Sequence, residues 1–186
     1  MSGLKKSLWP GYAEALRLKH RKDAIHLEGL DLSPEVRRDA TIDWHDYERF
    51  YVPEGGLKMA RVLDAGAGEG ETVKFFMEQG AASVVCIEPD PGKVGRLKMN
   101  TAKYEGRVEI YERKFSHTYP FIFGTDFAKI DVEGAEAGLL ELSDLRFPLA
   151  VEIHGADLLR RFQAKFPYLR YDRVRLGSGL WMGRYP

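Results

Sequence analysis

Five short apolar runs, separated by segments of helical period, restrict this chain more than any other feature. They are RVLDA (61–65), SVVCIEPD (83–90), RVEIYER (107–113), DFAKIDVEGAE (126–136) and FPLAVEIHG (147–155). Between them lie ETVKFFMEQ, PGKVGRLKMNTAKY with Pro91 at a helix start, AEAGLLELSDL and ADLLRRFQAKF. Strands that alternate with helices form a parallel sheet with helices on both faces. The tail differs: YLRYDRVRL (168–176), the turn GSG (177–179) and LWMGRYP are two strands joined too tightly to be parallel. The expected fold is α/β and Rossmann-like: a mostly parallel seven-stranded sheet with a C-terminal antiparallel hairpin.

The first 60 residues lack this alternation. AEALRLKHRKDAI reads as a helix, and SPEVRRDA starts another, with Ser33 as N-cap and Pro34 at the first helical position. Residues 1–58 are expected to form a helical cap or lid, leading through WHDYERFYVPEGG into the domain at 59–186. A chain of 186 residues, 44% hydrophobic, suits one domain and not two. Its 28 basic and 28 acidic side chains point to neither nucleic acid nor membrane. Cys86 is the only cysteine, so an intramolecular disulfide and a Cys-cluster zinc site are excluded. There is no apolar signal region and no run of 18 apolar residues, so a cytoplasmic location is expected. One Asn and two Gln among 56 charged residues suggest a thermophilic origin.

VLDAGAGEGET (62–72) closes the first strand with Gly66, Gly68 and Gly70 at alternate positions. Three glycines in one turn cost conformational entropy and mark positive φ or the close approach of a ligand. A glycine turn between strand and helix is the nucleotide crevice of open α/β sheets. The dinucleotide pattern G-x-G-x-x-G fails, because the sixth place from Gly66 is Glu71. Asp64, Glu69 and Glu71 would surround a pyrophosphate with like charge. S-adenosylmethionine, with its ammonium and sulfonium groups, suits them.

D-x-G-x-G-x-G after the first strand resembles motif I of class I S-adenosylmethionine-dependent methyltransferases, whose fold ends in such an antiparallel pair. The resemblance implies that fold, a methyltransferase activity, and a loop of Asp64, Ala65, Gly66, Gly68 and Gly70 beneath the cofactor's methionine part. Glu88, ending the second strand, would take the ribose hydroxyls. Ile87 and Pro89 would flank the adenine, Glu112 or Arg113 would reach its edge, and Asp131 would touch the cofactor from the fourth strand. KIDVEGAE (129–136) and AVEIHG (150–155) resemble the FkbM family of O-methyltransferases. That likeness implies a hydroxyl acceptor on a small molecule or glycan.

Methyl transfer is an in-line displacement, and a hydroxyl acceptor must also lose its proton. Asp131 and His154 end adjacent strands at the crevice and are the catalytic candidates. His154 is expected to serve as a general base near neutral pH, and Asp131 to orient the acceptor or bind a cation. Glu133 and Glu136 would favour a helix N-terminus. The Asn/Asp-Pro-Pro-aromatic loop of amine methylation is missing, since the residues are Asp131, Val132, Glu133 and Gly134. Cys86 lies within a strand and is not a nucleophile for cytosine C5. His20, His26, His45 and His117 lack metal spacing, so no metal site is expected. From Ala156 to Pro186, seven Arg/Lys face two Asp, interleaved with aromatic residues. This allows RNA as an alternative acceptor; otherwise the arginines face solvent and the aromatics the core. A third reading is a non-catalytic S-adenosylmethionine-binding partner protein.

Overall fold

A computed structural model describes residues 26–120, 124–174 and 180–185, with only the backbone at 39 and 41–46. The helix expected over 13–25 and the GSG turn at 177–179 lie outside these residues. Strands β1 (Arg61–Ala65), β2 (Ser83–Glu88), β3 (Val108–Glu112), β4 (Phe127–Ile130), β5 (Leu149–His154), β6 (Arg170–Arg173) and β7 (Leu180–Tyr185) form one sheet. Its order is β3-β2-β1-β4-β5-β7-β6. The pairs from β3 through β5 are parallel, while β7 runs antiparallel to both β5 and β6. The expected sheet is therefore present. Strand order reverses between β1 and β4, and the crevice opens at their carboxyl ends.

Helices α1 (Pro34–Tyr51), α2 (Glu71–Glu78), α3 (Pro91–Thr101) and α4 (Ala156–Lys165) cover the sheet. Because side chains alternate along a strand, each strand feeds two cores. Val62, Cys86, Phe127 and Ala150 pack with Tyr47 and Phe50 of α1 and Phe75 of α2. Leu63, Ile87, Ala128 and Val151 pack on the other side with Leu159 and Phe162 of α4. The α1 side turns polar towards the carboxyl ends: Asp64 follows Val62, Lys129 follows Phe127, and Glu152 and His154 follow Ala150 at steps of two.

Two local outcomes differ from expectation. Helix α1 starts as predicted, with Ser33 Oγ accepting from Val36 N at 3.4 Å and Pro34 first, but it continues for 18 residues. WHDYERFY is thus its last two turns, because Tyr47, Phe50 and Tyr51 sit on one face and bury against the sheet. After β4 the expected helix shrinks to a 3₁₀ helix, Ala135–Glu141. Glu136 there turns inward to bond Gly134 N at 2.6 Å and His154 N at 3.1 Å, so its side chain serves the core and not a helix dipole.

Candidate functional site

The glycine loop is shaped first by the protein itself. A Cβ on Gly66, at φ +80°, would stand 1.7 Å from the Asp131 carbonyl oxygen. The loop therefore hugs the end of β4, with Asp131 N donating to Ala65 O at 2.9 Å and Gly66 N to Ile87 O at 2.8 Å. Glu88 grips the loop from β2: its Oε2 accepts from Gly68 N at 3.1 Å and its Oε1 from Asp90 N at 3.0 Å. Residues before α1 lie on the same loop, Ser33 N donating to Glu69 Oε2 at 2.6 Å. Asn100, the only asparagine, joins Glu69 O and Asp31 O at 2.7 and 3.0 Å.

Asp64 is completely buried and occupied internally. Thr72 Oγ1 donates to its Oδ2 at 2.5 Å, and Lys129 Nζ stands 3.1 Å from its Oδ1 as an ion pair without hydrogen-bond alignment. Lys129 also donates to Gly66 O at 2.6 Å and lies 3.7 Å from Asp131 Oδ2. Burial alone would lower the Lys129 pKa, but Asp64 and Asp131 outweigh it and hold the ammonium above its usual range. Burial pushes the Asp64 carboxyl up, against the pull of Lys129 and Thr72. Asp64 and Lys129 thus brace the loop from beneath, and Asp64 presents no surface to a cofactor.

Beside the loop lies a cavity of about 480 Å³. Tyr47, Phe50 and Tyr51 of α1 roof it, Gly66, Glu71 and Thr72 form one wall, and Lys129, Asp131, Glu152 and His154 lie at its floor. Burial raises the Glu71 carboxyl to about 7. Burial, then the charge of Asp131, raises Glu152 to about 7 as well. His154 Nδ1 is 3.0 Å from Oε1 of the fully buried Glu136, and this hydrogen bond lifts the imidazole to about 9. The Glu136 bond therefore favours the protonated ring, a direction that works against the general-base role expected for His154. Glu136 itself is held below the usual carboxylate range: burial works against this, but the His154 ring and backbone N–H groups prevail.

The cavity gathers Gly66, Asp131 and His154 from the candidates read in the sequence. Glu88, Pro89 and Glu112 do not line it; Pro89 and Glu112 are exposed at the ends of β2 and β3. Sequence reasoning missed Lys129, Glu152 and the pairing of Glu136. The first two carried a signal, since strands covered on both faces should be continuously apolar and these are charged. One group that could hold a metal ion, not expected from histidine spacing, is Asp131, Glu152 and His154, which bring one ligand atom each within 4.8 Å of the others. Its members come from two strands, so local spacing could not show it. Among the described residues no helix is long and apolar enough to cross a membrane.

No family model matches the chain, and the FkbM likeness of the β4 and β5 motifs gains no support. Among curated proteins, Ribosomal RNA small subunit methyltransferase A of Chelativorans sp. (strain BNC1) is 33% identical over 89 residues, 48% of this chain and 32% of the relative. Its counterpart from Azorhizobium caulinodans is 28% identical over 120 residues, covering 62% and 37%. The chain thus spans well under half the length of the curated relatives it matches. Among solved structures, a 16S rRNA N2 methyltransferase of T. thermophilus, in complex with AdoMet and guanosine, has a TM-score of 0.56 at 15% identity, covering 86% of this chain and 45% of that one. The ribosomal protein L11 methylase of Lactobacillus delbrueckii subsp. bulgaricus gives 0.55 at 14%, covering 81% and 80%. The sheet order and these likenesses establish the class I methyltransferase fold.

Proposed function

We propose that the protein is an S-adenosylmethionine-dependent methyltransferase whose acceptor is a hydroxyl group carried on RNA. The observation that carries the reading is the junction of the glycine loop, gripped by Glu88 at Gly68 N, with a cavity floored by carboxylates and an imidazole. Glu69 and Glu71 at that loop suit a cofactor bearing an ammonium and a sulfonium. S-adenosylmethionine supplies a methyl group open to displacement from sulfur. The chain's part is to hold an acceptor oxygen in line and to accept its proton at the Asp131 and Glu152 carboxylates of the floor. Glu88 would take the ribose hydroxyls and Asp131 would meet the cofactor through its backbone.

The curated relatives named as ribosomal RNA methyltransferases favour RNA over the small molecule or glycan expected from the FkbM likeness. The Asp131-Val132-Glu133-Gly134 turn, without prolines, favours oxygen over an exocyclic amine. A small hydroxyl compound stands as a second reading because α1 encloses the cavity and limits it to about 480 Å³. Thermal melts with S-adenosylmethionine, its demethylated product and NAD test the cofactor: the first two should raise the melting temperature by linkage and NAD should not. Transfer of label from methyl-tritiated cofactor to total RNA, followed by nuclease digestion, then tests the acceptor. Label absent from ribose and from every RNA fraction would overturn the RNA assignment.

A further inference from the structure

We propose that Asp131, Glu152 and His154 form a binding site for one divalent metal ion of the Mn²⁺ class at the cavity floor. The three ligands follow from strand geometry. Ile130 pairs with Val151, so Asp131 and Glu152 come next to one another at neighbouring strand ends, and His154 lies two residues further along the same face of β5. One donor atom from each lies within 4.8 Å of the other two, a spread that small side-chain rotations close around a common ion.

A second, independent observation lies outside the cluster. Glu136 is fully buried and accepts from three groups: His154 N at 3.1 Å, Gly134 N at 2.6 Å, and His154 Nδ1 at 3.0 Å. With Nδ1 bonded to Glu136, Nε2 is the nitrogen left for an ion, which would displace its proton; it now lies 3.6 Å from the exposed Glu133 Oε2. A carboxylate behind one imidazole nitrogen is the usual means of fixing the ring of a metal-bound histidine. Charge points the same way. Lys129, 3.7 Å from Asp131, is already held by Asp64 and Gly66 O, and among the described residues the Glu152 carboxylate has no hydrogen bond or ion pair. Two carboxylate oxygens and one imidazole nitrogen suit Mn²⁺ or Fe²⁺ better than thiolate-seeking ions, and leave coordination positions open. An ion there would take the acceptor hydroxyl as a further ligand and make its proton easier to lose. That role rests on the methyltransferase reading; binding of the ion does not.

The test uses the full chain, stripped with chelator and titrated with Mn²⁺ while the six-line electron paramagnetic resonance signal of free Mn²⁺ is followed. Binding of S-adenosylhomocysteine is measured by calorimetry on the same samples. Wild type should bind close to one equivalent of Mn²⁺. Asp131→Asn, Glu152→Gln and His154→Ala should each weaken it at least tenfold, and Glu136→Gln by about 10–100-fold. Glu133→Gln removes the same unit of charge beside His154 Nε2 without removing one of the three ligands, and should weaken Mn²⁺ binding less than any of the three ligand variants. Melting temperatures confirm that each variant is folded. Mn²⁺ binding without S-adenosylhomocysteine binding would sustain the metal site and remove the cofactor reading. Wild-type protein that binds S-adenosylhomocysteine but no Mn²⁺ overturns the proposal, as does an equal loss in Glu133→Gln and Glu152→Gln, which would reveal diffuse attraction instead of a site.

Discussion

Lys129 is a charged side chain sealed under the glycine loop at 2% exposure, and its stability effect depends on what is removed with it. Lys129→Met leaves Asp64 buried and uncompensated, a change that costs about 3–5 kcal/mol in such pairs. The double variant Asp64→Asn/Lys129→Met should recover most of that loss in urea unfolding, since neither charge then remains buried. A double variant as unstable as the single one would show that Lys129 acts by packing alone. Glu88 behaves differently because it grips Gly68 N and Asp90 N from the end of β2. Glu88→Ala should weaken S-adenosylmethionine binding by roughly 2–3 kcal/mol in calorimetry, the scale of hydrogen bonds to a charged group. Glu88→Gln keeps an acceptor oxygen and should lose less. An unchanged dissociation constant in Glu88→Ala would reduce Glu88 to a turn residue. Glu88 was singled out because an acid ended an apolar run at a suitable distance from the glycines, and the structure adds its hold on Gly68 N and Asp90 N. Lys129 and Glu152 were legible in principle, as charges inside two-faced strands. The Glu136–His154 bond was not, because it joins residues 18 apart through a turn whose path no local pattern records.

At the level of elements, the glycine loop and β4 are fitted to each other by backbone alone. Gly66 and Gly106 have similar dihedrals, φ +80° and +76°, but a Cβ on Gly106 meets nothing within 4 Å while one on Gly66 meets Asp131 O at 1.7 Å. Gly106→Ala should therefore cost about 1 kcal/mol, for the unfavourable φ only. Gly66→Ala must also push the β4 end away, and should cost several kcal/mol more in chemical denaturation. Equal losses would show that the left-handed backbone, not the close approach, demands glycine. The same comparison explains what the sequence could tell. It placed β1, β2, β4 and β5 to within a few residues because each is a short, mostly apolar run between helical segments. It overextended the helix after β4 because A-E-A-G-L-L-E has helical composition, whereas tertiary bonding of Glu136 selects a short 3₁₀ turn. It underextended α1 because Trp44 and the tyrosines of WHDYERFY looked like a linker, though Tyr47 and Tyr51 lie one turn apart and stack at 5.4 Å.

For the whole molecule the formal charge is zero, so any affinity for RNA must come from how the charges are distributed. Much of the basic C-terminal region is engaged internally. Arg184 donates to Asp172 Oδ2 at 2.6 Å and to Arg49 O at 2.8 Å, Arg173 lies over the Trp181 ring at 5.3 Å, and Arg160 pairs with Asp157. Arg161, Lys165 and Arg170 are exposed and have no ion pair among the described residues. Helix α4, which carries the first two, packs on the sheet face opposite α1, and Arg170 pairs through Arg184 with Ala150 near the amino end of β5, so this basic strip lies away from the cavity. Under the RNA reading these three side chains contact phosphates of a strand segment remote from the acceptor nucleotide. Replacing all three with Ala should weaken RNA binding and flatten the plot of log affinity against log salt by about 0.7 for each single-strand phosphate no longer neutralised, or about 2 in all. Affinity for S-adenosylhomocysteine should not change, because none of the three touches the loop or the cavity. Filter binding across a salt series measures both slopes. An unaltered slope would place the RNA surface elsewhere. If wild-type protein shows no salt-dependent RNA binding at all, yet methylates small hydroxyl compounds, the enclosure of the cavity by α1 outweighs the likeness to ribosomal RNA enzymes, and the acceptor is a small molecule.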